Sequence, residues 1–138
     1  HEIERIYVAL VHGRIAIEQG TVDKPIGRDP RNRKRMAVVQ TGRRAVTHYR
    51  VLETYRNTSW VECRLETGRT HQIRVHMASI GHPVVGDPLY ATGYKEYGLS
   101  GQALHAAVLQ FEHPVTGEKM RLEAPLPEHM KKLLESLS

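Results

Sequence analysis

The feature that most constrains this chain is a change of hydrophobic period between Ser59 and Ile80. From Ser59 to Glu66 the side chains alternate. Ser59, Val61, Cys63 and Leu65 share one side, and Trp60, Glu62, Arg64 and Glu66 share the other. That is the period-two mark of a half-buried strand. Gly68 interrupts it, and Ile73, Met77 and Ile80 then recur at the spacing of one helical stripe. Gly81 and Pro83 are stop signals. A strand, a glycine break and a helix over 70–80 are therefore predicted.

The flanking segments extend the pattern. Val46–Tyr55 reads as the hairpin partner of Ser59–Glu66 across Arg56, Asn57 and Thr58. Ile3–Val11 is apolar on both faces and is expected to be a central strand, ended by Gly13. Ala103–Glu112 and Glu118–Ala124 form a second hairpin, in which Met120, Leu122 and Ala124 alternate with Lys119, Arg121 and Glu123. A last helix begins near Pro127 and carries the stripe Met130, Leu133, Leu134 and Leu137. Gly20–Arg44 reads as a long, irregular hairpin with a short strand at Met36–Gln40, and Gly86–Gly101 as a surface loop. With no repeat and no linker, residues 1–138 are one unit. Its fold class is α+β, a mainly antiparallel mixed sheet with a few flanking helices.

Composition removes several function classes. No apolar run approaches the roughly 20 residues of a membrane helix, so no membrane role is expected. A single cysteine, Cys63, forms no internal disulfide and no cysteine-rich zinc site. It fits a reducing cytosol, so a cytoplasmic location is expected. The sequence opens on His1 within a patterned segment, which suggests a fragment of a longer protein. Nine histidines raise the question of a metal. His71 and His76 lie five apart, separated by about 140° on a helix, so they do not share a face as metalloprotease ligands do. No metal is expected. A nucleophile elbow and the glycine-rich phosphate loops are absent from the sequence.

The arginines are more informative. A net charge of +5 and a pI near 9.6 favour a polyanionic partner. Five cations, Arg28, Arg31, Arg33, Lys34 and Arg35, fall within eight residues, with only Asp29 to offset them. That density favours nucleic-acid contact over a merely solvated loop. Arg69 lies at the helix entrance, where free N–H groups attract phosphate. Arg74 is flanked by the core residues Ile73 and Val75. It either reaches solvent or is buried against a carboxylate, and residue type alone favours solvent. Tyr7, by itself, reads as a core tyrosine.

Together these residues resemble one family. Arg64–Tyr90, RLETGRTHQIRVHMASIGHPVVGDPLY, resembles the signature of the large-subunit ribosomal RNA pseudouridine synthases of the RluA type. The strand Tyr7–Val11 (YVALV), Gly20–Pro25 (GTVDKP), Ala45–Tyr49 (AVTHY), Leu104–Ala106, His113–Pro114 and Ala124–Pro127 agree in order. The GTVD and AVTHY segments most resemble the D-type branch.

The resemblance implies an isomerase that converts uridines of large-subunit ribosomal RNA to pseudouridine without cofactor or metal. It implies that Tyr7 stacks on the flipped base and takes part in proton transfer, and that Arg74 pairs with the attacking aspartate. It further implies that this chain is the C-terminal part of the catalytic domain. The family's R-L-D-x-x-T-S-G motif is absent, and Asp23, Asp29 and Asp87 stand outside that context. The nucleophilic aspartate is thus expected upstream, and this chain alone is expected to be inactive. Unpaired strand edges in such a fragment favour self-association. A non-catalytic basic RNA-binding module, or a subunit that only completes a larger sheet, are the alternatives.

Overall fold

The computed structural model describes residues 3–138. Ten elements follow in the order β1 (Glu4–His12), β2 (Gln19–Asp23), β3 (Ile26–Arg28), β4 (Met36–Val38), β5 (Val46–Thr54), β6 (Thr58–Leu65), α1 (Gln72–Ser79), β7 (Leu104–Glu112), β8 (Lys119–Glu123) and α2 (Glu128–Leu137). The main sheet has the order β2-β5-β6-β1-β7-β8, and β3 and β4 form a separate ribbon. Every strand pair among the described residues is antiparallel. The fold is α+β, as the sequence pattern implies.

β1 occupies the centre, between β6 and β7. Its two apolar faces explain this: Ile6 and Leu10 are buried on one side, Ala9 and Val11 on the other. The β6 alternation also holds. Ser59, Val61 and Cys63 are buried, whereas Arg64 is exposed. The core around Leu10, Val61, Cys63, Ile73 and Met77 is closed by Met130, with Leu133, Leu134 and Leu137 packed against it. Burial, with Glu62 adding to it, pushes the Cys63 thiol up to about 12. No helix among the described residues is long and apolar enough to cross a membrane.

The structure departs from the sequence expectations in four places. Gln19–Asp23, assigned to the irregular excursion, is an edge strand paired with β5. Val22 alone supplies its buried residue, too little for periodicity to register beside Gly20. Leu122 of β8, on the apolar side of the alternation, is 53% exposed rather than buried. The helix starts at Gln72 rather than Thr70, because His71 takes left-handed angles (φ 56, ψ 23). Finally, the segment read as a surface loop, Gly86–Gly101, begins in the interior: Gly86, Asp87 and Ala91 are buried.

Gly86 makes that inward turn. It has φ +79, and a Cβ there would lie 2.3 Å from the Gly101 carbonyl oxygen. Gly93 has a similar φ of +86 but open space around it. A left-handed residue with a side chain costs about 1–2 kcal/mol, which is the expected effect of Gly93→Ala. Gly86→Ala adds a backbone clash and is expected to cost at least about twice that. Chemical denaturation checks this, and equal losses in the two variants would remove the clash from the account.

Candidate active site

A concave cavity of about 480 Å³ opens beside the start of α1. This is within the range of about 300–1,000 Å³ that holds small ligands. Arg5 and Tyr7 of β1, Leu65 of β6, Gly68, Arg69 and His71 of the connecting turn, Arg74 of α1 and Gln102 all line it. The fold thus brings Tyr7 together with Arg69 and Arg74, from which it lies more than sixty residues away in sequence. It adds Arg5, which sequence reasoning did not single out, and His71, which it weighed only as a metal ligand.

Gln72 organises the turn that carries these residues. Its Oε1 accepts from the Thr67 hydroxyl (2.7 Å) and the Arg69 N–H (3.0 Å). Its Nε2 donates to the Val46 carbonyl (2.9 Å) and the Thr47 hydroxyl (3.0 Å). Every polar atom of this buried amide is therefore used, which fixes the turn to β5. The Arg69 N–H is consequently not free for phosphate. What Arg69 offers instead is its side chain at the cavity, where Nε donates to the Arg44 carbonyl at 2.8 Å.

Arg74 is buried, against the expectation from residue type. Its Nε and Nη2 donate to Asp87 Oδ2 and Oδ1, each at 2.8 Å, in a bidentate fork. The Asp87 side chain is 0% exposed and also accepts the backbone N–H groups of Leu89 and Tyr90. Burial works to raise the Asp87 pKa, but Arg74 and these N–H donors outweigh it and hold the carboxyl below its ordinary value. The hydrogen bonds to Asp87 raise Arg74 above its ordinary value in turn. Sequence reasoning set Asp87 aside as outside the chemistry; the missed signal was GDPLY, whose glycine turns an acid inward. Fully engaged, Asp87 is a support and not a nucleophile. Among the described residues no aspartate lines the cavity.

Tyr7 sits where the β1–β7 register shifts, between Ile6 and Tyr7. Such bulges re-aim side chains. It is half-buried and lines the cavity, so it is not the enclosed core tyrosine that residue type suggests.

The basic cluster lies on the β3–β4 ribbon and its connecting turn. Arg28, Arg31, Arg33 and Lys34 are exposed. Arg35 is different: its Nε pairs with Asp29 at 2.9 Å, and its Nη1 donates to the Leu89 carbonyl at 3.3 Å. It holds the ribbon against the Asp87–Tyr90 turn. None of the five lines the cavity, so this surface is distinct from it. Among the described residues no cluster of three or more histidine, cysteine or acidic side chains is arranged to hold a metal.

A profile of RNA pseudouridylate synthases matches residues 1–79. The chain belongs to that family. An uncharacterised RNA pseudouridine synthase of Bacillus subtilis, YlyB, is 55% identical over 98% of the chain and 44% of its own length. Ribosomal large subunit pseudouridine synthase D of Xanthomonas campestris is 49% identical over 99% of the chain and 44% of its own length. The chain thus spans less than half the length of these relatives. In structure it is similar to human RNA Pseudouridylate Synthase Domain Containing 1, with a TM-score of 0.80 and 27% identity over 98% of the chain and 65% of that protein. The family is one of isomerases that act on RNA.

His76 gives the turn a pH dependence. Its Nε2 donates to the Lys24 carbonyl (2.9 Å), and its Nδ1 accepts from the Thr47 hydroxyl (2.8 Å). Burial lowers its pKa below 6.5, so the folded ring is neutral. Burial lowers His71 and His12 in the same direction. The unfolded chain takes up protons below about 6.5 that the folded one refuses, so this stability is present above that pH and lost as pH falls below it. The melting temperature is expected to drop from pH 7 towards 5, and less steeply in His76→Gln. Parallel profiles for the two proteins would count against the assignment.

Proposed function

We propose that this chain is the C-terminal portion of a catalytic domain that isomerises specific uridines of large-subunit ribosomal RNA to pseudouridine in the cytoplasm. The observation that carries the reading is the shared cavity. Tyr7 and Arg74 line it together, Arg5 and Arg69 add positive charge, and no described aspartate enters it. In the reaction the C1′–N1 bond breaks, the base turns, and C1′ joins C5. N1 gains a proton and C5 loses one, so no oxidant, metal or cofactor is consumed. Tyr7 offers a ring to stack on the extruded base and a hydroxyl for proton transfer. Arg74, held by Asp87 through Nε and Nη2, has Nη1 left to pair with an attacking carboxylate contributed from upstream sequence.

The exposed Arg28, Arg31, Arg33 and Lys34 are suited to the RNA backbone, which supplies affinity while the cavity selects the base. Arg35 serves this surface by holding the ribbon. The name of the Xanthomonas relative supports the large ribosomal subunit as the substrate.

In the full-length protein, Arg74→Ala is expected to abolish turnover of uridine in ribosomal RNA while RNA affinity changes little. The Arg31→Ala, Arg33→Ala and Lys34→Ala triple variant is expected to do the reverse, with weaker, salt-sensitive binding and chemistry retained at saturating RNA. Near-normal turnover in the first, or unchanged affinity in the second, contradicts the roles given. Retained affinity with no turnover in the unaltered full-length protein would favour the non-catalytic RNA-binding module.

The 138-residue chain by itself is expected to show no turnover, for want of the aspartate. It is also expected to self-associate through the uncovered β7–β8 end, where Leu109 is 37% and Leu122 53% exposed. Sedimentation and a pseudouridine assay check both; an active monomer would refute the pair.

A further inference from the structure

We propose that the Tyr90 hydroxyl fixes His71 as its Nε2–H tautomer, and that this N–H is a neutral donor to a carbonyl oxygen of the base held in the cavity. The base in this statement rests on the uridine reading above; the hydrogen-bond chain behind it does not.

The chain begins in the basic ribbon. The Met36 N–H, at the start of β4, donates to Tyr90 Oη at 2.8 Å. Tyr90 Oη lies 2.9 Å from His71 Nδ1. A phenol carries one proton. With Met36 occupying one lone pair of the oxygen, the arrangement that also keeps the phenol proton in a hydrogen bond directs it to Nδ1, which is then the acceptor. The imidazole hydrogen is left on Nε2, where it has no partner among the described residues. Burial, aided by the Arg74 cation, lowers the His71 pKa and keeps the ring neutral. Burial raises the Tyr90 pKa, so the phenol keeps its proton.

The backbone supports the same assignment. His71 is one of two non-glycine residues among those described with positive φ, and it lines the cavity. That conformation costs about 1–2 kcal/mol and persists only where neighbours hold it. Tyr90 is such a neighbour. Its ring meets His71 edge-on, with centroids 5.7 Å apart, and lies 5.2 Å from the Arg74 guanidinium carbon. Its own N–H donates to Asp87. One side chain therefore contacts the ribbon, His71 and Arg74 together. The cavity already holds three arginines, which suit phosphate or carboxylate. A neutral N–H adds what they lack, a donor matched to an uncharged carbonyl on a base edge.

The test uses full-length protein labelled with ¹⁵N-histidine. The wild type is expected to give the ring ¹⁵N pattern of a single Nε2–H tautomer at His71 at mildly alkaline pH. Tyr90→Phe, which keeps the ring, is expected to give a mixture. Uridine 5′-monophosphate should shift the Nε2 resonance saturably in the wild type, and ribose 5-phosphate should not. In turnover of ribosomal RNA, Tyr90→Phe should lower kcat about ten-fold with KM within about two-fold, and should add nothing to His71→Ala. An Nδ1–H ring in the wild type, or an unchanged tautomer in Tyr90→Phe, overturns the proposal. So does an absent shift with uridine 5′-monophosphate, an equal shift with ribose 5-phosphate, or an unchanged kcat once the tautomer is lost. Failure of the wild type to modify any RNA uridine would instead remove the functional reading alone, since the resonance measurements decide the inference without turnover.

Discussion

The arrangement of the cavity depends on the buried pair between Arg74 and Asp87. Withdrawing two charges from water is costly, and a pair of this kind persists where its geometry is good and every remaining polar atom is matched. Here the geometry is good and the carboxylate is fully matched, while Arg74 Nη1 alone is left without a partner among the described residues. The fork is bidentate, and the carboxylate also receives two backbone N–H groups from its own turn. A single contact therefore locks α1 to the segment after Gly86, and sets the direction of the arginine that faces the cavity. Asp87 keeps the guanidinium charged and oriented without itself being available for attack.

A second set of contacts ties α1 to a different part of the sheet. Gln72 joins the turn before α1 to β5, and Thr47 carries that linkage on to His76 and the Lys24 carbonyl. The helix contributes only a short apolar stripe. Gln72, Arg74 and His76 are all buried with it, so three polar residues on alternate positions help to seat the helix beside Ile73 and Met77. A segment of this kind is specified by hydrogen-bond matching as well as by hydrophobicity, which restricts it more narrowly than size and polarity would.

The same distinction explains what was legible in the sequence. Elements built on periodic apolar residues were readable: β1 as a two-faced central strand, the β5–β6 hairpin, the β7–β8 hairpin and the stripe of α2. Elements set by one residue or by a distant partner were not. β2 has one buried side chain, and its pairing with β5 is a matter of the sheet rather than of local pattern. The start of α1 is decided by the left-handed His71. Resemblance singled out Tyr7 and Arg74, which the fold places at one cavity, whereas Asp87 and Tyr90 acquire meaning only when their partners at Arg74, Met36 and His71 are seen. Arg35 looked like its four basic neighbours, and only its pairing with Asp29 and Leu89 separates it from them.

Cys63 has a practical consequence of a different kind. It is the only cysteine in this chain, wholly enclosed between β1 and β5, with its thiol pushed up to about 12. Thiolate is the reactive form, so this sulfur is silent towards alkylating and oxidising reagents while the sheet is closed. The natural sequence of this segment is thus already a blank background for labelling. A cysteine introduced on the exposed ribbon would be its one addressable thiol, and reaction at Cys63 itself would report opening of the sheet at its centre.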